Sequence, residues 1–216
     1  MPRARKGERG FDTRARIVGA ASTLFCERGY LDTTMAAIAA GAGVVVQTLY
    51  LSFGSKVAIL EAAHDTAVVG DDEPIPVLER PWVTEVHSER DGPHALEMVM
   101  SNARRINVRV APIYGAIQAA AADPEVAALL DRIRAQRLST MRALAADLAV
   151  KPGFTTTESA ESAADVLYAV ASIEFLGLLV SQRHWSLDKL DEWAYEIAAS
   201  RLFPRTAATA TRGSRG

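Results

Sequence analysis

A glycine turn between two short apolar segments is the feature of this sequence that most restricts its fold. Residues 24–60 read LFCERGYLDTTMAAIAAGAGVVVQTLYLSFGSKVAIL. Ala39, Gly43 and Leu49 lie four and then six residues apart. A small residue lets two helices approach, a glycine turns the backbone, and an apolar residue on the second helix packs back against the first. This spacing predicts a helix-turn-helix unit.

Apolar residues at helical spacing continue on both sides of the turn. Before it they predict a helix over residues 12–28, and after it they predict helices over about 45–52 and from 56 to 69. The hydroxyl of Thr33 or Thr34 is placed to cap the helix that precedes the turn. The apolar side of the first helix is formed by Ile17, Ala20, Ala21, Leu24 and Phe25.

The rest of the chain alternates between helical periodicity and proline or glycine clusters, and no strand pattern competes. Pro112 would kink or restart a helix, Thr155 and Glu158 have the spacing of a capping box, and a break is expected near Ser172. Helices are predicted near 82–89 and over about 94–122, 124–150, 157–183 and 187–202. We therefore expect an all-α fold.

Charge is distributed unevenly along the chain. Residues 1–56 carry eight basic and four acidic side chains, a net charge of +4, and the whole chain carries −2, so the remainder carries −6. A basic amino-terminal part fits duplex DNA through one end of the molecule. No apolar run reaches the roughly 20 residues of a membrane span, so we expect a cytoplasmic protein with no membrane partner. The single Cys26 cannot form an internal disulfide, and we expect it to be buried.

The amino-terminal segment that contains the helix-turn-helix unit, here called the head, resembles a known family of regulators. The residues that carry the resemblance are Leu24-Phe25, Gly29-Tyr30, Thr33-Thr34, Ile38-Ala39, Ala42-Gly43-Val44, Thr48-Leu49-Tyr50, Phe53 and Ser55-Lys56. Together they resemble the amino-terminal domain of the TetR family of transcriptional repressors, over about residues 12–60. The resemblance implies a homodimer that binds a palindromic double-stranded DNA operator with two recognition helices roughly 34 Å apart. It also implies that binding of a small molecule releases the dimer from the operator.

This resemblance implies a division of the chain into four parts. A flexible basic arm covers residues 1–11, and a three-helix helix-turn-helix head with its recognition helix at about 45–52 covers residues 12–56. A helical effector-binding and dimerisation domain covers residues 57–204, and a disordered tail covers residues 205–216.

The candidate DNA contacts are polar or exposed positions around the recognition helix. The amide of Gln47 can pair with adenine, and Thr48 can bond a base or offer its methyl group to thymine. The full set is Thr34, Val45, Val46, Gln47, Thr48, Tyr50 and Lys56. The sequence departs from the family pattern at Val45 and Val46, where a small polar residue is usual, and at Ser52, where histidine or tyrosine is frequent. A valine side chain cannot cap the helix or bond a phosphate.

The second domain supplies candidate effector and dimer contacts. An effector pocket would have apolar walls and a few polar groups, which favours a hydrophobic or aromatic small molecule. Its candidate residues are Trp82, Met98, Arg105, Arg109, Tyr114, Gln118, Asp165, Tyr168 and Glu174. Any of them could instead form a core hydrogen bond or an ion pair, for example Asp165 with Arg109. The candidate dimer contacts are Val170, Leu187, Leu190, Ala194 and Ile197.

Two other classes of function compete. A helical interaction or ligand-binding protein with weak or lost DNA binding would fit the two valines. A helical-bundle enzyme would fit the Glu-x-x-His spacing of Glu61 and His64, but such sites need two of these motifs and two further glutamates. Because only one motif is present, we expect both side chains to be solvated and the chain to be no enzyme, with no cofactor and no metal.

Overall fold

The computed structural model describes residues 6–70 and 76–204, with side chains from Asp12 onward. This part of the chain contains helices and no strand, which confirms the predicted all-α class. A short 3₁₀ turn, Val77–Glu79, precedes α5, and α9 continues directly into a π-helix, Leu176–Gln182. The helices are α1 Lys6–Asp32, α2 Met35–Ala42, α3 Val46–Phe53, α4 Lys56–Val69, α5 Pro81–Ser88, α6 Gly92–Ala119, α7 Pro124–Ala149, α8 Ala160–Val170, α9 Ile173–Phe175 and α10 Leu187–Leu202.

The first helix is longer than its sequence pattern predicts. It begins at Lys6, so residues 6–11 of the predicted flexible arm are helical, while residues 1–5 and the predicted tail, 205–216, lie outside the described residues. Gly29 has φ 78° and ψ 170°, which breaks the helical path before a last short piece. Gly29 therefore ends the helix predicted over residues 12–28.

Side-chain caps begin most of the helices, as expected for exposed backbone N–H groups at helix ends. Thr34 Oγ1 accepts a hydrogen bond from the Ala37 N–H at 3.1 Å, so Thr34 is the cap of α2. Thr33 instead is buried and donates its hydroxyl to the Gly29 carbonyl at 2.7 Å. The predicted capping box at Thr155 is wrong, because α8 begins later, with Ser159 Oγ accepting from the Ser162 N–H.

Two of the predicted breaks have different outcomes. Pro112 lies inside the continuous helix α6 and does not restart it. Ser172 does break the helix predicted over residues 157–183, since its Oγ accepts from the Phe175 N–H at 3.2 Å and starts α9. The first half of this region contributes buried residues to the core, whereas no residue of its second half, 173–182, is fully buried.

Two hydrophobic cores organise the molecule. The first joins α1–α4 to the carboxy-terminal half of α6 and the amino-terminal half of α7, with Phe25, Leu49 and Ile113 fully buried in it. The second joins α5, α8 and α10 to the remaining halves of α6 and α7. Helices α1 and α4 therefore pack directly on α6.

The segment Ala160–Gln182 is long and apolar enough to cross a membrane, with a mean hydropathy of 1.8. This corrects the expectation that no apolar run has that length. Ala163, Ala164 and Leu167 in its first half are fully buried in the second core. A core helix of a soluble domain has these same properties.

Candidate functional site

The turn between α2 and α3 has the geometry that the sequence spacing predicts. The two helix axes enclose 101°. Gly43 has φ 66° and ψ 39°, a left-handed conformation that glycine adopts without strain, and its N–H donates to the Ala40 carbonyl at 3.2 Å. Leu49 of α3 is fully buried against the head. Residues 35–53 therefore form a helix-turn-helix unit.

Helix α3 presents an outer face that the other described residues leave uncovered. Val45, Tyr50 and Leu51 are 70%, 54% and 83% exposed, and Gln47 is exposed as well. Val45 stands at the helix start with no side-chain cap, which leaves the first N–H groups of α3 without a side-chain partner. These backbone donors and the outer side chains are available for recognition.

Arg14 holds the carboxy-terminal end of α3. Its Nη1 donates to the Ser52 carbonyl oxygen at 3.0 Å, and its guanidinium lies over the Phe53 ring, 4.0 Å from the centroid. A cation beside the last carbonyls also suits the negative end of the helix dipole. Arg14 thereby fixes the recognition helix to α1.

Lys56, the first residue of α4, bonds the backbone at the end of α1. Its Nζ donates to the carbonyls of Tyr30 at 2.8 Å and Thr33 at 3.0 Å and lies 4.0 Å from the centroid of the Tyr30 ring. Burial lowers the pKa of this ammonium, although Asp123 and Asp32 oppose the change. Lys56 therefore links the start of α4 to the end of α1.

A cavity of about 850 Å³ lies between the head and the second domain. Its walls come from α1, α4, α6 and α7, with Ala171 and Ile173 at one end. The apolar part of its lining includes Val18, Ala63, Ile106, Val110, Ile133 and Met141. The polar part includes Arg14, His64, Asn107, Tyr114, Arg134, Arg137 and Thr140. A mainly apolar cavity with a few polar groups is typical of a small-molecule site.

A polar network borders this cavity, with Tyr114 and Arg137 in the lining and the exposed Glu174 beside them. Glu174 accepts hydrogen bonds from Tyr114 Oη at 3.0 Å and from Arg137 Nη1 at 3.0 Å, and Arg137 lies 4.1 Å from the centroid of the Tyr168 ring. Burial raises the pKa of Glu174, but the hydrogen bonds from Arg137 and Tyr114 outweigh it, and the pKa lies below its usual range. Arg137 Nε is buried and has no hydrogen-bond partner among the described residues. This donor could serve an acceptor oxygen of a ligand.

The sequence of the head identifies its family. Residues 17–63 match the family described as "Bacterial regulatory proteins, tetR family". The matched range contains the whole helix-turn-helix unit described above. The helix-turn-helix domain of the chain is a TetR-family domain. No sequence of a curated protein is significantly similar to the chain.

Solved structures share this TetR-family fold over most of their length. NalD from Pseudomonas aeruginosa, the secondary repressor of the MexAB-OprM multidrug efflux pump, has a TM-score of 0.69 and 19% identity over 92% of this chain and 100% of its own. FadR from Bacillus subtilis, in complex with stearoyl-CoA, has a TM-score of 0.69 and 18% identity over 87% and 98%. A transcriptional regulator from Saccharomonospora viridis, in complex with choline, has a TM-score of 0.63 and 18% identity over 88% and 96%. These neighbours are transcriptional regulators, and the likeness shows the fold.

The cavity gathers few of the effector residues that the sequence suggested. Tyr114 lines it, and Glu174 and Tyr168 belong to the network behind it. The side chain of Arg109 donates to the carbonyls of Ala67 and Val68. Arg105, Gln118 and Asp165 are exposed, so the suggested ion pair of Asp165 with Arg109 is wrong, and Trp82 and Met98 pack on the second core.

His64 is the clearest residue that sequence reasoning misjudged. It is buried, lines the cavity, and lies 3.3 Å from Asp65 Oδ1 through its Nδ1, whereas a solvated position was expected. Glu61 pairs with Arg132 at 3.1 Å. Within the described parts of the chain, no group of three or more His, Cys, Asp or Glu side chains could hold a metal ion. Cys26 is exposed, which corrects the expectation that it is buried.

Three of the five candidate dimer residues face the interior of their own subunit. Val170, Leu190 and Ala194 are buried within the single chain, where α8 and α10 pack against each other and α10 packs against α6. Their assignment to the dimer contact is corrected for this reason. Leu187 and Ile197 are only partly buried.

We predict that Arg14→Ala weakens DNA binding by roughly 1 to 2 kcal/mol, the range of a hydrogen bond from a charged donor, because the end of α3 loses its anchor. Fluorescence anisotropy with a bound duplex measures the affinity, and circular dichroism checks that the helices persist. Arg16→Ala is the matched control, since Arg16 carries the same charge on the same helix but contacts only Asp12 and Thr13. Equal losses of DNA affinity in both variants would mean that the positive charge, and not the bond from Arg14 to the Ser52 carbonyl, accounts for the effect.

Proposed function

We propose that this TetR-family regulator is a repressor that binds a palindromic operator as a homodimer and leaves it when a small molecule occupies the cavity. The observation that carries the proposal is the helix-turn-helix unit with its exposed α3, in the segment that matches the family. Such a regulator acts on DNA in the cytoplasm. The neighbours in complex with choline and stearoyl-CoA support the proposal that a protein of this fold binds a small molecule.

The proposed DNA contacts divide into base and backbone contacts. Gln47 stands on the outer face of α3 and would pair with adenine, with Thr48 and Tyr50 beside it. Thr34 and Lys56 would approach phosphates, although both already bond backbone groups within the head. Val45 is exposed at the helix start. Val46 packs partly against the head, so only the exposed part of its side chain would contact DNA.

Selection of bound duplexes from a random library tests DNA binding. We expect enrichment of a palindrome whose half-sites lie about one helical turn apart. Gln47→Ala should relax the preference at one symmetrical pair of positions, at a cost of about 1 to 3 kcal/mol per half-site if a bidentate contact is lost. Gln118→Ala is the control, because it removes an exposed amide from α6 instead. Failure to enrich any sequence would contradict the proposal and favour a protein that has lost DNA binding.

The proposed dimer contact lies on the outer face of α9, the π-helix and α10. From Ile173 to Gln182 no residue is fully buried, although the segment reads IEFLGLLVSQ. Leu178 is 46% exposed. Nearby, the Trp193 ring lies 5.2 Å from that of Phe175 and 6.0 Å from that of Trp185. A partly exposed apolar segment with aromatic rings beside it is typical of a protein interface, and a second copy of this chain is its proposed occupant.

We predict that Leu178→Asp converts the dimer to a monomer, because a carboxylate would be buried there without a partner. Light scattering at matched concentration measures the mass, and circular dichroism checks helicity. Val150→Asp is the control, since Val150 is also an exposed apolar residue but lies at the end of α7. A Leu178→Asp variant that stays dimeric would place the interface elsewhere.

The proposed effector site is the cavity between the head and the second domain. Its apolar walls suit a hydrophobic or aromatic body, and the unpartnered Nε of Arg137 suits an acceptor oxygen. Both α1 and α4 form part of the wall, and α1 holds α3 through Arg14. A ligand that displaces α1 or α4 would therefore change the position of the recognition helix.

A variant that fills the cavity tests this site. Compounds with hydrophobic or aromatic bodies are first screened for those that raise the Tm and lower operator affinity. We predict that Ile106→Trp keeps DNA binding but loses the response, because the indole occupies the ligand volume. Val108→Trp, an exposed position on the same helix that does not line the cavity, should keep the response. If Ile106→Trp keeps the response to the compound and Val108→Trp loses it, the effector binds outside this cavity.

A further inference from the structure

The recognition helix contains no charged residue. Helix α3 reads VQTLYLSF, and Val45 precedes it. Guanine in the major groove is read most often by arginine or lysine, whose donors match its two acceptor atoms. Helix α3 has neither side chain, so its base contacts must come from amide, hydroxyl and apolar groups.

Leu51 shares the outer face of α3 with Gln47. The two residues lie four positions apart, which places them one helical turn apart on the same side. The fully buried Leu49 marks the opposite side, and Leu51 is the most exposed large apolar residue among those described. If the amide of Gln47 reaches base edges, the isobutyl group of Leu51 lies next to it in the groove.

We propose that Leu51 reads the 5-methyl group of thymine in each operator half-site. The inference rests on the proposed DNA binding and gives the operator its base class: A·T pairs beneath α3, with adenine at Gln47 and a thymine methyl at Leu51. The thymine methyl is the apolar group that the major groove offers, and apolar side chains contact it. Val45, exposed at the start of the same helix, extends the apolar surface.

An operator with thymine replaced by deoxyuracil tests this contact, since the two bases differ by that methyl group alone. The probe is the duplex selected above, substituted at each symmetrical pair of thymines in turn. At one pair the parent protein should lose about fourfold in affinity per half-site, the factor expected for one buried methyl group. At that pair Leu51→Ala should bind thymine and uracil duplexes equally.

The control variant is Leu31→Ala, which removes an exposed leucine outside α3 and should keep the full loss on uracil. Circular dichroism confirms that each variant folds. Equal binding of all thymine and uracil duplexes by the parent protein overturns the inference, as does a Leu51→Ala variant that keeps the loss on uracil. Binding to no duplex at all overturns the proposed function itself, so the two failures are distinguishable.

Discussion

The recognition helix is too short to be stable by itself, and its position depends on the contacts that fix it to α1 and α2. Eight residues provide few internal hydrogen bonds, and isolated helices of this length are marginal in water. Burial of Leu49, the left-handed turn at Gly43 and the bond from Arg14 to the Ser52 carbonyl replace that missing stability. Each of these contacts acts at a different point along α3, so its orientation is fully determined by the head.

The head is in turn held by a core that it shares with the second domain. Helices α1 and α4 pack with α6 and α7, and the cavity opens beside this contact. Packed cores transmit displacement because they are as dense as organic crystals. The wall of the cavity and the support of α3 are therefore the same helix, α1, which gives a short physical connection between a ligand and the DNA-contacting surface.

Several local rules of stability are broken at the two sites. Helix α3 starts at Val45 without a side-chain cap and exposes Leu51 to water. At the cavity, the buried Nε of Arg137 has no hydrogen-bond partner among the described residues. Most other helices begin with a Ser, Thr or Asp cap. Violations of this kind are expected where a protein binds something else, because a partner can supply the missing contacts.

The sequence by itself determined most of the helices, the turn at Gly43, a hydroxyl cap at Thr33 or Thr34 and the polar face of α3, since these depend on residues close together in the chain. Only the tertiary structure decided that Ala194 faces its own subunit, that His64 is buried, and that α1 forms a wall of the cavity. Helical periodicity identifies an apolar face but not the surface that covers it. For α10 that surface is α6 and α8, and for α4 it is α1 and α6, so neither could be read from local spacing.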